Sequence, residues 1–182
     1  MKKVYFTVGL LFLVFFFSQN LVAQNCDGLK AQIIKDWGRA KAYTKTLLDA
    51  MPAAHYNYSP VDTGHVRSFA GQMLHLAQGN IFFISTVSGK EINFNFPKLE
   101  NLTAAEEKDS VIYCVLASYD VCLTALREID ASRFWETTTN EVHSVSRFEW
   151  ISVGFEHQTH QRALCALYIR LVGIKPPEEM LF

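Results

Sequence analysis

The chain has 182 residues, 17 of them basic and 18 acidic, with a formal net charge of −1. A balance this close to neutral lacks the clustered positive charge that nucleic-acid binding needs, so that class of function is excluded. The length suffices for one domain with a sizeable core.

Residues 1–23 read as a targeting segment: Lys2-Lys3, an apolar run from Val4 to Phe17, polar Ser18-Gln19-Asn20, then Leu21-Val22-Ala23 before Gln24. The charged start, apolar middle and small residue at the end have the form of a secretory signal peptide cleaved after Ala23. The apolar run of 14 residues is shorter than the roughly 20 that a spanning helix needs, which argues against a lasting membrane anchor. Lipid attachment at Cys26 would want a small residue just before it, and Asn25 stands there. Removing Lys2 and Lys3 leaves 15 basic against 18 acidic residues, a formal charge of −3 on residues 24–182. The expected destination is the periplasm or the extracellular space.

Four cysteines enter that oxidising compartment, at positions 26, 114, 122 and 165. Cys114 and Cys122 lie on one predicted helix, where eight residues rise about 12 Å, beyond disulfide reach. Burial as small apolar side chains is the expectation for Cys114, Cys122 and Cys165.

The first helix is predicted from Asp27 to Ala50, where Leu29, Ile33, Trp37, Ala40, Thr44, Leu47 and Met51 recur at helical spacing, and Pro52 ends it. The connector 53–64 mixes His55, Tyr56 and Tyr58 with turn residues and reads as an ordered loop. A second helix follows over 66–87, with Val66, Phe69, Met73, Leu76 and Ile84 in its stripe and His75 beside it. Gly71 and Gly79 flank His75 by one turn, each costing about 1 kcal/mol against alanine. That cost points to space wanted there for a partner helix or a ligand.

Residues 88–106 are too many to join antiparallel neighbours, and they predict a crossover that leaves the second and third helices parallel. Phe94 and Phe96 are expected against the core. Thr103 and Glu106 form a capping box for the third helix, whose face carries Val111, Val115, Tyr119, Cys122 and Leu126. Residues 131–146 are polar and read as a loop. The fourth helix runs from Arg147 to Val172 and stops at Gly173, ahead of Pro176-Pro177. The whole is all-α: a four-helix bundle, up-down-down-up, with residues 1–23 as signal peptide and 24–182 as the domain. Its core is expected around Trp37, Met73, Tyr119, Leu126, Trp150, Leu164 and Leu167.

The chemistry concentrates in Glu156-His157-Gln158-Thr159-His160-Gln161-Arg162. Three or four residues along a helix is the same face, so His157 can share an ion with His160 or with Gln161. Trp150, His157, Leu164 and Leu171 fall seven apart, as do Val153, His160 and Leu167, which predicts both histidines in core rows; Gly154, Gln161 and Tyr168 border them. Buried imidazoles need partners, which implies a metal or a hydrogen-bond network. No general base is specified by spacing: Glu156 points about 100° from His157, and Asp120 and Glu149 read as surface or edge residues.

Met73-Leu74-His75-Leu76-Ala77, the motif from His157 to Arg162, Tyr168-Ile169-Arg170-Leu171 and Gly173-Ile174-Lys175-Pro176-Pro177 together resemble the DinB-like family of four-helix proteins, over nearly the whole of 24–182. Family members place one histidine on the second helix and two on the fourth, i and i+4, around a divalent metal, usually zinc or nickel. The resemblance carries the first ligand to His75 and the second to His157. The third falls on Gln161, because the family's His-His-Arg-Gly-Gln reads here His160-Gln161-Arg162-Ala163-Leu164. Periodicity nominates His160 in its place.

Two functions follow. In one the chain is an exported metal-dependent enzyme of DinB type, transferase or hydrolase, acting on a small molecule. In the other it is a non-catalytic binding protein that has kept the bundle and lost the full ligand triad. The partners expected are a small-molecule substrate, no nucleic acid, no stable membrane anchor after signal cleavage, and, as an open option, a second copy in a homodimer.

Overall fold

The structure, a computed structural model, describes residues 2–61, 66–140 and 142–182, with side chains from Cys26 onward. Four helices carry it: α1 Lys2–Ala50, α2 Phe69–Ser88, α3 Ala104–Glu128 and α4 Arg147–Leu171. The side chains of the predicted signal segment, residues 1–23, lie outside the described residues, and only the helical backbone from Lys2 is described there.

Each helix starts and stops where local chemistry directs. Pro52 follows α1 and lacks the N–H to extend it. Ser68 caps α2 by accepting the Gly71 N–H at 3.1 Å, which places its start three residues beyond the predicted Val66. Gly89, at φ +67°, closes that helix in the left-handed region glycine enters freely. The Thr103 and Glu106 capping box opens α3 as predicted. Ser146 caps α4, which ends just before Gly173 at φ +83°.

Helix directions follow from the cross-links. Lys30 Nζ donates to the Ile129 carbonyl at 2.7 Å and Lys108 Nζ to that of Met51 at 2.8 Å, so α1 and α3 are antiparallel. The Arg67 carbonyl accepts from Tyr168 Oη at 3.1 Å, while Phe83 lies 6.2 Å from Trp150, so α2 and α4 are antiparallel. Leu29 shares one groove with Phe148, and Tyr43 another with Ala166, so α1 and α4 run together. Hence α2 and α3 are parallel, the up-down-down-up order that the crossover predicts. Each helix packs on two others, with α1 diagonal to α2 and α3 diagonal to α4.

The crossover, 89–103, lays Ile92, Phe94 and Leu99 on the core. Phe96, also expected there, is exposed and packs its ring on Phe94 at 5.0 Å. Residues 131–146 hold more than a loop. A short 3-10 turn, Ala131–Trp135, leads into a hairpin of β1 Thr137–Thr139 and β2 Ser144–Ser146, with Thr138 opposite Val145. The hairpin is held by Trp150 Nε1 donating to the Thr138 carbonyl at 3.2 Å and by Thr138 Oγ1 donating to that of Thr86 at 3.1 Å.

Trp37, Met73, Tyr119, Leu126 and Trp150 are buried, as expected. All four cysteines are buried and unpaired, and burial pushes the Cys114 thiol up to about 11. The fourth helix corrects the sequence reading. Leu164 is only half-buried, Leu167 is 47% exposed and Leu171 51%. An α-helix drifts about 20° per heptad against a seven-residue repeat. The row that starts in the core at Trp150 therefore leaves it by Leu171. The buried face runs instead through Ile151, Gly154, Gln158, Gln161, Cys165, Tyr168 and Ile169.

Candidate functional site

His75 stands on α2 and His157 on α4, where those antiparallel helices meet. Their Nε2 atoms are 3.3 Å apart, with ring centroids separated by 5.0 Å and planes inclined at 79°. The approach is made possible by Gly79, one turn along α2 from His75. A Cβ at position 79 would overlap Cε1 and Nδ1 of the His157 ring. Phe83, one turn further, closes the other side with its ring centroid 5.7 Å from that of His157. Gly154 in turn makes room for Phe83, whose Cβ is 3.1 Å from where a side chain would begin. The two glycines flanking His75 thus have different uses. Gly79 seats the partner imidazole, whereas Gly71 faces Arg67 and Ser68 of its own segment.

Both imidazoles are held below their ordinary value of 6.5, each chiefly because burial disfavours the charged ring. The Arg67 guanidinium adds to this for both rings, and for His157 the neighbouring His75 ring also disfavours a second positive charge. Two neutral rings with facing nitrogens can share one hydrogen bond or one ion. Two nitrogens each ~2.0–2.1 Å from a tetrahedral zinc lie about 3.3 Å apart.

The remaining predicted ligands divide. Gln161, one turn beyond His157, is 6% exposed and its Oε1 has no hydrogen-bond partner. His160 lies on the exposed side of α4. The structure therefore brings His75, His157 and the α4 face carrying Gln161 to one seam, and turns His160 outward. Other buried polar side-chain atoms without partners are Gln72 Oε1 and Asn80 Oδ1 on α2, His157 Nδ1 and Gln158 Nε2 on α4, and Glu107 Oε1 on α3. Among the described residues, no group of three or more His, Cys, Asp and Glu side chains is placed to hold a metal. The groups that this seam offers are two imidazoles and, one turn along α4, an unpartnered amide oxygen.

A second polar cluster lies on the α1 side of α4, and sequence periodicity missed it. Arg162 is 6% exposed and donates to Gln158 Oε1 at 2.9 Å, Thr159 Oγ1 at 2.8 Å and Tyr119 Oη at 3.2 Å. Tyr119 Oη is in turn 2.9 Å from Thr44 Oγ1. Burial raises the Tyr119 hydroxyl above its ordinary value, against the pull of Arg162. The signal was present as Gln158 and Arg162 at i and i+4, one turn ahead of Cys165 and Ala166. A charge there is read by default as solvated.

A cavity of about 600 Å³ lies elsewhere, between the crossover and the end of α3, lined by Lys90, Glu91, Asp120, Glu128 and Arg133 among others. Neither histidine borders it.

The DinB family model matches residues 21–180. None of the curated proteins matches the chain. Among solved structures, a DinB-like protein from Bacillus subtilis is 17% identical, with a TM-score of 0.63 over 83% of this chain and 96% of its own. A DinB-like protein from Bacillus cereus is 13% identical, with a TM-score of 0.66 over 81% and 95%. A conserved protein from Enterococcus faecalis is 14% identical, with a TM-score of 0.59 over 78% and 95%. At such identities the likeness is one of fold.

Proposed function

The chain belongs to the DinB family, and from that premise we propose that it binds a divalent metal, zinc or nickel, between α2 and α4 and uses it on a small-molecule substrate, as a transferase or hydrolase. The observation that carries this reading is the 3.3 Å between the Nε2 atoms of His75 and His157, the spacing one shared ion would require. His75 and His157 would hold the metal, with the Gln161 amide oxygen as third donor. When bound, such an ion polarises a substrate oxygen or lowers the pKa of a bound water or thiol. The protein's own residues contribute the partly buried surroundings. Gly79 and Phe83 fix the His157 ring, and burial keeps both imidazoles neutral and ready to coordinate.

Export is part of this proposal. The family match begins at residue 21, beyond the apolar run of the predicted signal segment, which supports a leader followed by a complete DinB domain in the periplasm or outside the cell.

One observation favours the non-catalytic alternative. His157 Nδ1 is buried without a partner, whereas a ligating histidine ordinarily donates its second N–H to an acceptor that fixes its tautomer. Metal analysis of untagged protein, followed by zinc titration of the chelator-stripped chain, separates the two. Binding of one zinc per chain that is lost in His75→Ala and His157→Ala supports the metal site. Wild-type protein that takes up no zinc leaves the pair as a core hydrogen bond.

A further inference from the structure

The groove between α1 and α4 ends on a buried cation whose partners are all neutral. Arg162 makes its hydrogen bonds to an amide and two hydroxyls, and no carboxylate pairs with it among the described residues. A guanidinium has five N–H groups, and these bonds occupy at most three. Arg162 also lines a cavity of about 280 Å³ that opens between the helices, so its unused donors have somewhere to point. Arg39 and Arg170 line the same cavity. Arg39 is paired with Asp36 at 3.0 Å, whereas Arg170 has no carboxylate partner among the described residues. A buried, incompletely bonded charge is costly unless an anion completes it.

The rest of the lining says which kind of anion. Phe155, with its ring beneath the Arg162 guanidinium at 5.9 Å, is joined by Ala40, Ala166 and Leu181, an apolar surface alongside the cations. The C-terminal segment lays Glu179, Met180 and Leu181 along this opening, so the chain itself already sets a carboxylate followed by apolar side chains against it. We propose that the α1 and α4 groove is a binding site for an apolar carboxylate, its head group forked by Arg162 with Arg170 beside it and its hydrocarbon body against Phe155 and Leu181. Glu179 is the internal competitor at its mouth. The volume lies just below the range of drug-sized pockets, roughly 300–1,000 Å³, which suits a short- or medium-chain acid. This site is separate from the histidine seam and independent of the metal proposal.

The test uses the full chain, stripped of metal with a chelator, and calorimetric titration with octanoate, octanol and inorganic phosphate. Octanoate binds saturably with one site per chain, and octanol at least about tenfold more weakly, since it cannot accept the guanidinium fork. Arg162→Lys weakens octanoate about tenfold, because a lysine offers a point charge in place of the planar fork. Should that variant fail to fold by circular dichroism, Arg170→Ala serves, lowering octanoate affinity severalfold while Glu179→Gln raises it. The proposal is overturned if the wild type does not bind octanoate, if octanol binds as tightly, or if folded arginine variants bind unchanged. Phosphate binding as tight as octanoate would leave only a bare anion site and overturn the apolar-carboxylate assignment.

Discussion

Helix α4 is polar on two buried sides, and the two are built on different terms. Toward α1 and α3, Thr44, Tyr119, Gln158, Thr159 and Arg162 form a connected chain of hydrogen bonds. Toward α2, His75 and His157 meet each other, with Gln78 also beside His75, and Gln72 Oε1, Gln161 Oε1 and His157 Nδ1 are left without partners, as Gln158 Nε2 is on the other side. A connected network lowers the cost of its own burial and locks one packing arrangement. A seam with orphaned polar atoms carries the desolvation cost of each of them uncompensated. The α1 side thus carries a network that fixes the packing around one incompletely bonded guanidinium, whereas the α2 side holds a single histidine pair among unpartnered amides.

The strongest way to sharpen this contrast is Gln161→His. A third imidazole in place of an amide oxygen raises zinc affinity by about tenfold or more, read by competition with a chelating dye. No gain would separate position 161 from the site. Next comes Gly79→Ala, which improves helix propensity by about 1 kcal/mol yet drives a Cβ into the His157 ring. The expected net effect is a destabilisation of about 1–3 kcal/mol, relieved when combined with His157→Ser in a double-mutant cycle. If the two losses simply add, the glycine is not the seat of the ring.

On the network side, Tyr119→Phe removes the hydroxyl that joins Thr44 to Arg162 and costs about 1–3 kcal/mol by chemical denaturation. Gln72→Met on the α2 side deletes an orphaned acceptor and changes stability by no more than about 0.5 kcal/mol. Equal losses at the two positions would erase the distinction drawn between the seams.

Acid provides a further contrast. Both seam histidines lie below 6.5 when folded. Between their folded values and 6.5 the unfolded chain therefore binds more protons than the folded one. Their contribution to stability is full above pH 6.5 and is lost as pH falls toward the folded values. Metal-free wild type loses stability between pH 7.5 and 5.5 more steeply than His75→Gln; identical slopes would show that the pair is not titrating as a buried couple. The smallest effect is at Leu167, where truncation to alanine stays within about 0.5 kcal/mol because the residue is at the surface. Leu126→Ala in the core costs about 2–5 kcal/mol.

Most of the bundle was legible in residue order because its causes are local. Helical periodicity, the Thr103 cap, glycine and proline stops, and a crossover too long for a hairpin can each be read along the chain, so they named four helices and the parallel pairing of α2 and α3. The short hairpin after α3 was not legible, since its threonines are fixed by Trp150 and Thr86 from other elements. His75 and His157 were visible as a pair only through the resemblance to the DinB-like family, since no spacing within one helix connects them. What placed them 3.3 Å apart was Gly79 on one helix meeting an imidazole on the other.

The face of α4 that turns inward is the clearest case of what tertiary structure alone decided. Hydrophobic periodicity put Leu164, Leu167 and His160 in core rows, and the bundle buried Gln158, Gln161 and Arg162 in their place. Drift of about 20° per heptad carries the Trp150 row off the contact line by Leu171, whereas the row of Val153, His160 and Leu167 is exposed from its first residue. The residues that end inside are chosen by which neighbours can satisfy them. Tyr119 and Thr44, which complete the Arg162 cluster, stand 43 residues and more away along the chain, where no local pattern can show them.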